Sequence, residues 1–199
     1  MTSTRSGHST RVQRPAGIIE RPRLLHKLEL ALDHKLTLVS APPGYGKTTL
    51  ALQFSRRVGV PVAWHTVEER ERDLPNLIAQ CLSALEPVAP GAQKLALPGG
   101  IAAGEMAAFI ANHLRDSVRG DYVYILDDAQ HLAGSTLAEI WLQALVANLP
   151  RNCHLVLVSR MLPDLPLAEM IARREVLAIG QQDLRFTPDE IQLLASETL

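Results

Sequence analysis

Basic surplus, aromatic rings, paired cysteines and long apolar runs are all scarce in this chain, and each scarcity removes a class of function. Lys and Arg number 20 against 21 Asp and Glu, a formal net charge of −1, whereas a nucleic-acid-binding domain ordinarily carries a basic face or a high pI. Aromatic residues make up 4%, few for the stacking platforms on which single-stranded bases rest. Cys81 and Cys153 stand alone, without C-x-x-C or Cys/His spacing, so neither a disulfide framework nor a zinc site is indicated and a reducing cytoplasm fits. The longest apolar runs are strand-length, far below the ~20 residues of a membrane-spanning helix, so no membrane partner is expected. Met1 to Arg14 are poor in apolar residues and rich in Ser, Thr and Arg. Residues 1–17 therefore read as a disordered tail; their acid-free composition also fits an organelle transit peptide, but not the apolar core of a secretory signal. The 199-residue chain, 47% hydrophobic and 21% charged, is long enough to bury a sizeable core and too short for two large ones. One soluble domain over 18–199 is expected.

What is present is a phosphate cradle. The apolar run Leu36-Thr37-Leu38-Val39-Ser40 leads into Ala41-Pro42-Pro43-Gly44-Tyr45-Gly46-Lys47-Thr48-Thr49, and Leu50, Ala51, Phe54 and Val58 follow at helical spacing. Strand, tight turn and helix in that order make a P-loop. A triphosphate needs backbone N–H groups converging on its oxygens, the positive end of a helix, and a lysine and a hydroxyl behind them. Pro43 to Thr49 are the residues expected to wrap the nucleotide, with Gly44 and Gly46 supplying backbone angles and room that a side chain denies. Lys47 is the phosphate-facing cation, and the Thr48 hydroxyl is a ligand for Mg²⁺. Ala41 stands where the full G-x-x-x-x-G-K-[ST] pattern has its first glycine, while the glycines nearest the phosphates are kept. The alternative, a Gly/Pro hairpin with an exposed lysine, sits poorly with the flanking strand and helix.

A second motif lies where the first requires it. Tyr122-Val123-Tyr124-Ile125-Leu126 is a short β-prone apolar run ending in Asp127-Asp128, as a buried parallel strand does when it releases two carboxylates at its tip. Asp127 is assigned to Mg²⁺ and Asp128 to the attacking water, a catalytic role. An Asx-rich turn after a strand is the plainer reading of the same residues.

Strand and helix patterns alternate along the rest. Leu24, Leu25, Leu28 and Leu32 mark a helix opened by Pro22; Val60 to Val67 is a strand; Leu74, Leu77, Ile78, Cys81, Leu82 and Leu85 fall on one helical stripe. Glu86 to Gly104, rich in Pro, Gly and Ala, reads as a surface loop. Met106, Phe109, Ile110, His113 and Leu114 make a helix, as do Leu137, Ile140, Trp141, Ala144 and Leu145, and strands follow at Leu155–Val158 and Val176–Ile179. Thr187-Pro188-Asp189-Glu190 carries a capping threonine, a proline at the first helical position and a glutamate three residues on, so a helix begins there. The expected fold is α/β: a three-layer P-loop NTPase with a five-stranded, mostly parallel sheet and its ligand at the C-terminal strand edges.

Together with Val62-Ala63-Trp64, Asp127-Asp128-Ala129-Gln130-His131-Leu132, Leu157-Val158-Ser159-Arg160 and Asp183-Leu184-Arg185-Phe186, these runs resemble the nucleotide-binding domain of MalT-type, large LuxR-family transcriptional activators. Those belong to the STAND class of signalling P-loop ATPases, and a related module is appended to some bacterial Ser/Thr kinases. The resemblance covers roughly Ile18 to Leu199. It implies that Ile19 and Arg21 lie near the adenine and that Arg160 reads the γ-phosphate as a third catalytic group beside Lys47 and Asp128; His131 is taken as structural. It implies ATP and Mg²⁺ as cofactors and a cytoplasmic location. The winged-helix, helical-repeat and helix-turn-helix segments of that family are not in this sequence, which therefore reads as one module of something longer, with no direct DNA binding of its own.

Three functions stay open on sequence: a regulatory ATPase switch with weak ATP hydrolysis and ATP-dependent self-association, a conventional ATP-driven enzyme, and a nucleotide-binding interaction module without turnover.

Overall fold

The computed structural model describes residues 18–198; the expected tail lies outside the described residues. The chain divides into two compact units, Arg21–Arg185 and a second that takes the N-terminal residues to Glu20 together with Phe186 onward.

The larger unit runs α1 (Pro22–Glu29), β1 (Leu36–Ser40), α2 (Lys47–Ser55), β2 (Val62–Thr66), α3 (Leu74–Leu85), α4 (Ala103–Ser117), β3 (Tyr122–Asp127), α5 (Thr136–Asn148), β4 (Cys153–Ser159), α6 (Leu167–Ala172), β5 (Val176–Ile179) and α7 (Gln181–Leu184). The strands form one sheet in the order β2-β3-β4-β1-β5, and every pairing is parallel. Parallel strands covered on both faces read as near-continuous apolar runs, and β3 and β4 are buried along their whole length.

The two-residue period of a strand sorts those side chains into two cores. On one face, Leu36, Leu38, Tyr122, Tyr124, Leu126, Leu155 and Leu157 pack with the apolar stripes of α3, α4 and α5. On the other, Val39, Val123, Ile125, Val156, Val158 and Ile179 pack with Leu24, Leu25 and Leu28 of α1 and Leu50 and Phe54 of α2. Helices on both faces of a parallel sheet give the three-layer P-loop fold. In register, Ser40 of β1 lies beside Ser159 of β4, and Thr66 of β2 beside Asp127 of β3. The C-terminal tips therefore form one edge.

Three expectations need correction. The stretch 86–104 is not simply a surface loop: Val88, Ala89 and Ala92 are buried in the core under α3, and the Glu86 carboxylate folds the segment by accepting the Gly91 and Gln93 N–H groups over 2.9 and 3.0 Å. The stripe of α5 is rotated: Ala138, Trp141, Leu142, Leu145 and Val146 are buried, whereas Leu137 is 54% exposed and Ile140 also faces out. A Cβ added to Gly104 of α4 would meet the Ala144 Cβ at 3.5 Å and the Ile140 Cγ2 at 3.9 Å, so α4 packs closely against that side of α5. The third correction is two short helices, α6 and α7, that no pattern announced.

In the smaller unit, α8 (Pro188–Thr198) begins where the capping signature places it. The Thr187 N–H donates to Glu190 Oε2 over 3.0 Å and the Glu190 N–H to Thr187 Oγ1 over 3.3 Å. Of its apolar residues, Ile191 and Ala195 are exposed and Leu194 is half-buried.

Candidate functional site

The site is assembled at the tips of β1, β3 and β4. Between Ser40 and Lys47 the chain turns through Gly44 at φ +84 and Gly46 at φ +73, left-handed angles that side chains with a Cβ adopt only at a cost. Gly46 is the N-cap of α2 and no side chain caps the helix, so its first N–H groups remain free to meet an anion. Lys47, at the first helical position, is only 8% exposed; its Nζ arches back to donate to the Pro42 carbonyl over 3.0 Å. Burial lowers its pKa, Arg160 lowers it further, and Asp128 and Asp127 oppose both. Those four charges share one field. Tyr45, at the crest of the turn, accepts a bond from Gln181 Nε2 of α7 at 2.9 Å.

Thr48 Oγ1 donates to Asp127 Oδ1 over 3.2 Å, joining the P-loop helix to the tip of β3. Asp127 is 1% exposed, and burial raises its pKa against the pull of the Thr48 bond. The same oxygen accepts the Asp128 N–H over 3.0 Å. Thr48 and Asp127 thus offer two adjacent hard oxygens, the short set of protein ligands with which Mg²⁺ binds phosphate oxygens and retained waters. Asp128 takes a left-handed conformation, φ +55, which Asp tolerates better than most residues. Gln130 Nε2 donates to its Oδ1 over 2.8 Å, and Gln130 Oε1 accepts the Arg160 backbone N–H over 3.0 Å. The root of the P-loop touches the same place, since the Ala41 N–H donates to the Ser159 carbonyl over 3.4 Å.

Beside this edge, on β2, His65 is enclosed with a carboxylate. His65 Nε2 is 2.6 Å from Glu71 Oε2 and Nδ1 is 2.9 Å from the Tyr124 hydroxyl. An ionised carboxylate only accepts, so Nε2 carries the hydrogen and Nδ1 of the neutral ring accepts from Tyr124. Burial outweighs the attraction of Glu71 and lowers the His65 pKa.

Residues 31–165 match the model of a family described as an AAA domain. The chain belongs to the AAA domain family. Over 173 residues, 85% of its length, this AAA domain is 30% identical to the HTH-type transcriptional regulator MalT of Serratia proteamaculans. Over 177 residues it is 27% identical to MalT of Yersinia pestis. It spans 19% and 20% of those regulators, about a fifth of the length of the relatives it matches. Among solved structures it superposes on a STAND protein with a tetratricopeptide repeat sensor from Pyrococcus horikoshii with a TM-score of 0.55 and 16% identity, covering 90% of this chain and 25% of that one. A Walker-type ATPase of Pyrococcus abyssi gives a TM-score of 0.55 and 17% identity, covering 92% and 59%. Those two likenesses speak to the fold.

Within the AAA domain, Lys47, Thr48, Asp127, Asp128 and Arg160 come together at one edge. Arg21 is elsewhere engaged: its Nη2 donates to the carbonyls of Leu184 and Arg185 over 2.9 and 2.8 Å. Arg23 donates to the Asp183 and Arg185 carbonyls, and Lys27 reaches Asp183 Oδ1 at 2.8 Å. The start of α1 thus clamps the end of α7. Ile19, buried, belongs to the smaller unit. Sequence reasoning missed Gln130 and Gln181; the run Asp128-Ala129-Gln130 held a signal, because a glutamine two residues past a strand-tip acid can fold back on it.

Proposed function

We propose that this AAA domain binds Mg-ATP and hydrolyses it slowly, the ATP and ADP states forming a conformational switch within a MalT-like transcriptional regulator. The observation that carries the reading is the Thr48–Asp127 bond of 3.2 Å, which puts a P-loop hydroxyl and a buried strand-tip carboxylate on one ligand position, next to Lys47 and Arg160. The free N-terminal N–H groups of α2 and the Lys47 ammonium hold the β- and γ-phosphates. Thr48 and Asp127 would hold Mg²⁺, and the ion would supply neutralisation of phosphate charge there. Asp128 orients the water that attacks the γ-phosphorus, and the exposed Arg160 registers whether the third phosphate is present. Ile19 and Arg21 are assigned to the adenine side through the family resemblance.

A conventional kinase would need a charged acceptor pocket beside the P-loop: the cavity of about 590 Å³ against α3 has no charged lining residue, and one of about 820 Å³ lined by Lys35, Arg115 and Arg151 lies at the N-terminal ends of β1 and β4, opposite the P-loop edge. Among the described residues no helix is long and apolar enough to cross a membrane; the cytoplasmic location is assigned through the MalT resemblance. Calorimetric titration with Mg-ATP and Mg-ADP, with hydrolysis followed at protein in excess, tests the proposal. Micromolar ATP binding with slow phosphate release is expected; the absence of nucleotide binding defeats it.

A further inference from the structure

One side chain ties the two catalytic strand tips together. Gln130 lies in the 3-10 turn Ala129–Leu132 that follows the left-handed Asp128. Its amide nitrogen holds the Asp128 carboxylate at 2.8 Å and its amide oxygen holds the Arg160 backbone N–H at 3.0 Å. A neutral amide presents a donor and an acceptor on one rigid plane, so the acid after β3 and the arginine after β4 cannot move apart without breaking one bond. The turn itself is anchored from another side. Arg72 Nε donates to the His131 carbonyl over 3.2 Å, Ser135 Oγ donates to the Arg72 carbonyl over 2.7 Å, and Ala129 and Leu132 are buried. The backbone is held by these contacts, which leaves the Gln130 amide free of a scaffolding duty.

We infer that Gln130 is a positioning residue that couples the γ-phosphate-reading arginine to the water-orienting acid, so that the carboxylate of Asp128 is set only when the Arg160 segment is in place. This rests on the Mg-ATP reading above. The two halves of the amide have separable tasks: the nitrogen fixes the acid, the oxygen fixes the segment that senses phosphate. Gln130→Ala removes both. Gln130→Glu keeps an acceptor for the Arg160 N–H while replacing the donor with an oxygen that repels Asp128.

The test uses the full chain with either substitution and measures Mg-ATP and Mg-ADP affinity, single-turnover hydrolysis and thermal midpoint. For Gln130→Ala we expect an unchanged midpoint, ADP affinity within about twofold, a preference for ATP over ADP reduced roughly five- to tenfold, and hydrolysis slowed roughly ten- to hundredfold. For Gln130→Glu we expect the same slowing with the ATP preference kept. Normal preference and hydrolysis in both variants overturn the inference and leave the ATP site standing. A Gln130→Ala protein that loses ADP affinity and thermal stability in step overturns it as well, since the amide is then scaffolding. An unaltered chain that binds no Mg-ATP overturns the site reading and this inference together. If the unaltered chain binds but does not turn over, the ATP preference of Gln130→Ala decides alone.

Discussion

At the scale of single residues, the site sets two buried charges, Lys47 and Asp127, beside the half-buried Asp128 and the exposed Arg160. Lys47 loses water on folding and finds one carbonyl in return. Removing it by Lys47→Ala takes away a charge-assisted contact worth roughly 1.5–3 kcal/mol, and calorimetry should register a roughly ten- to hundredfold weaker Mg-ATP. Binding within a few-fold of the unaltered protein refutes the P-loop assignment. On the proposed reading the two aspartates divide the labour. Asp127→Asn should weaken the Mg²⁺ dependence of binding, because it alters the oxygen beside Thr48, whereas Asp128→Asn should slow hydrolysis and spare affinity. Equal effects on Mg²⁺ titrations would contradict the division. His65 supplies a pH test away from the chemistry. Its folded pKa lies below the ordinary 6.5, so below that value the unfolded chain binds more protons than the folded one and stability falls as pH falls. Between pH 7.5 and 5, the thermal midpoint should drop more steeply for the unaltered protein than for His65→Gln. Parallel profiles would mean that the ring is not held neutral.

At the scale of elements, what could be read in advance was local and what could not was a matter of neighbours. β1 and β5 fall where the apolar runs put them, and the P-loop and the paired acids announce themselves because each motif lies within a few consecutive residues. Val60 and Pro61 fall outside β2, and a proline has no N–H to give a ladder. The α5 stripe went wrong because Leu137, Ile140, Trp141 and Leu145 satisfy the helical period, while the core takes Ala138, Leu142 and Val146 together with Trp141 and Leu145. Alanine likewise hid the core role of residues 88–92, since a Pro-, Gly- and Ala-rich composition resembles a loop even when its methyls are buried. Gln130, Gln181 and the clamp of Arg21 and Arg23 on α7 depend on partners that only the folded sheet brings near. The buried segment yields a prediction. Ala89→Leu overfills a site with no exposure and should cost about 1–3 kcal/mol, read as a lower urea midpoint; a surface loop would lose no more than about 0.5 kcal/mol.

At the scale of the whole molecule, the net charge of −1 offers little of the counterion release that drives binding to phosphate backbones. We expect no mobility shift of a promoter fragment at physiological salt by this chain; a sharp shifted band counts against that. On α8, Ile191 and Ala195 are exposed one turn apart with Leu194 half-buried beside them, an apolar surface of the kind that partners cover. Sedimentation should detect self-association that strengthens with Mg-ATP, and a monodisperse monomer at high concentration in both nucleotide states counts against it.

The bond between Thr48 and Asp127 joins residues 79 apart in sequence, and β4, which lies between β3 and β1 in the sheet, is later still in the chain. No early folding intermediate can own the site. Loops of that length close slowly, because the entropy of closure is spent before the contact rewards it, so nucleotide can be captured only by a chain whose central strands have all been laid down. Ligand then acts as a timekeeper of completion: it adds about 2.7 kcal/mol at a hundredfold excess over its dissociation constant, and adds it to finished molecules alone.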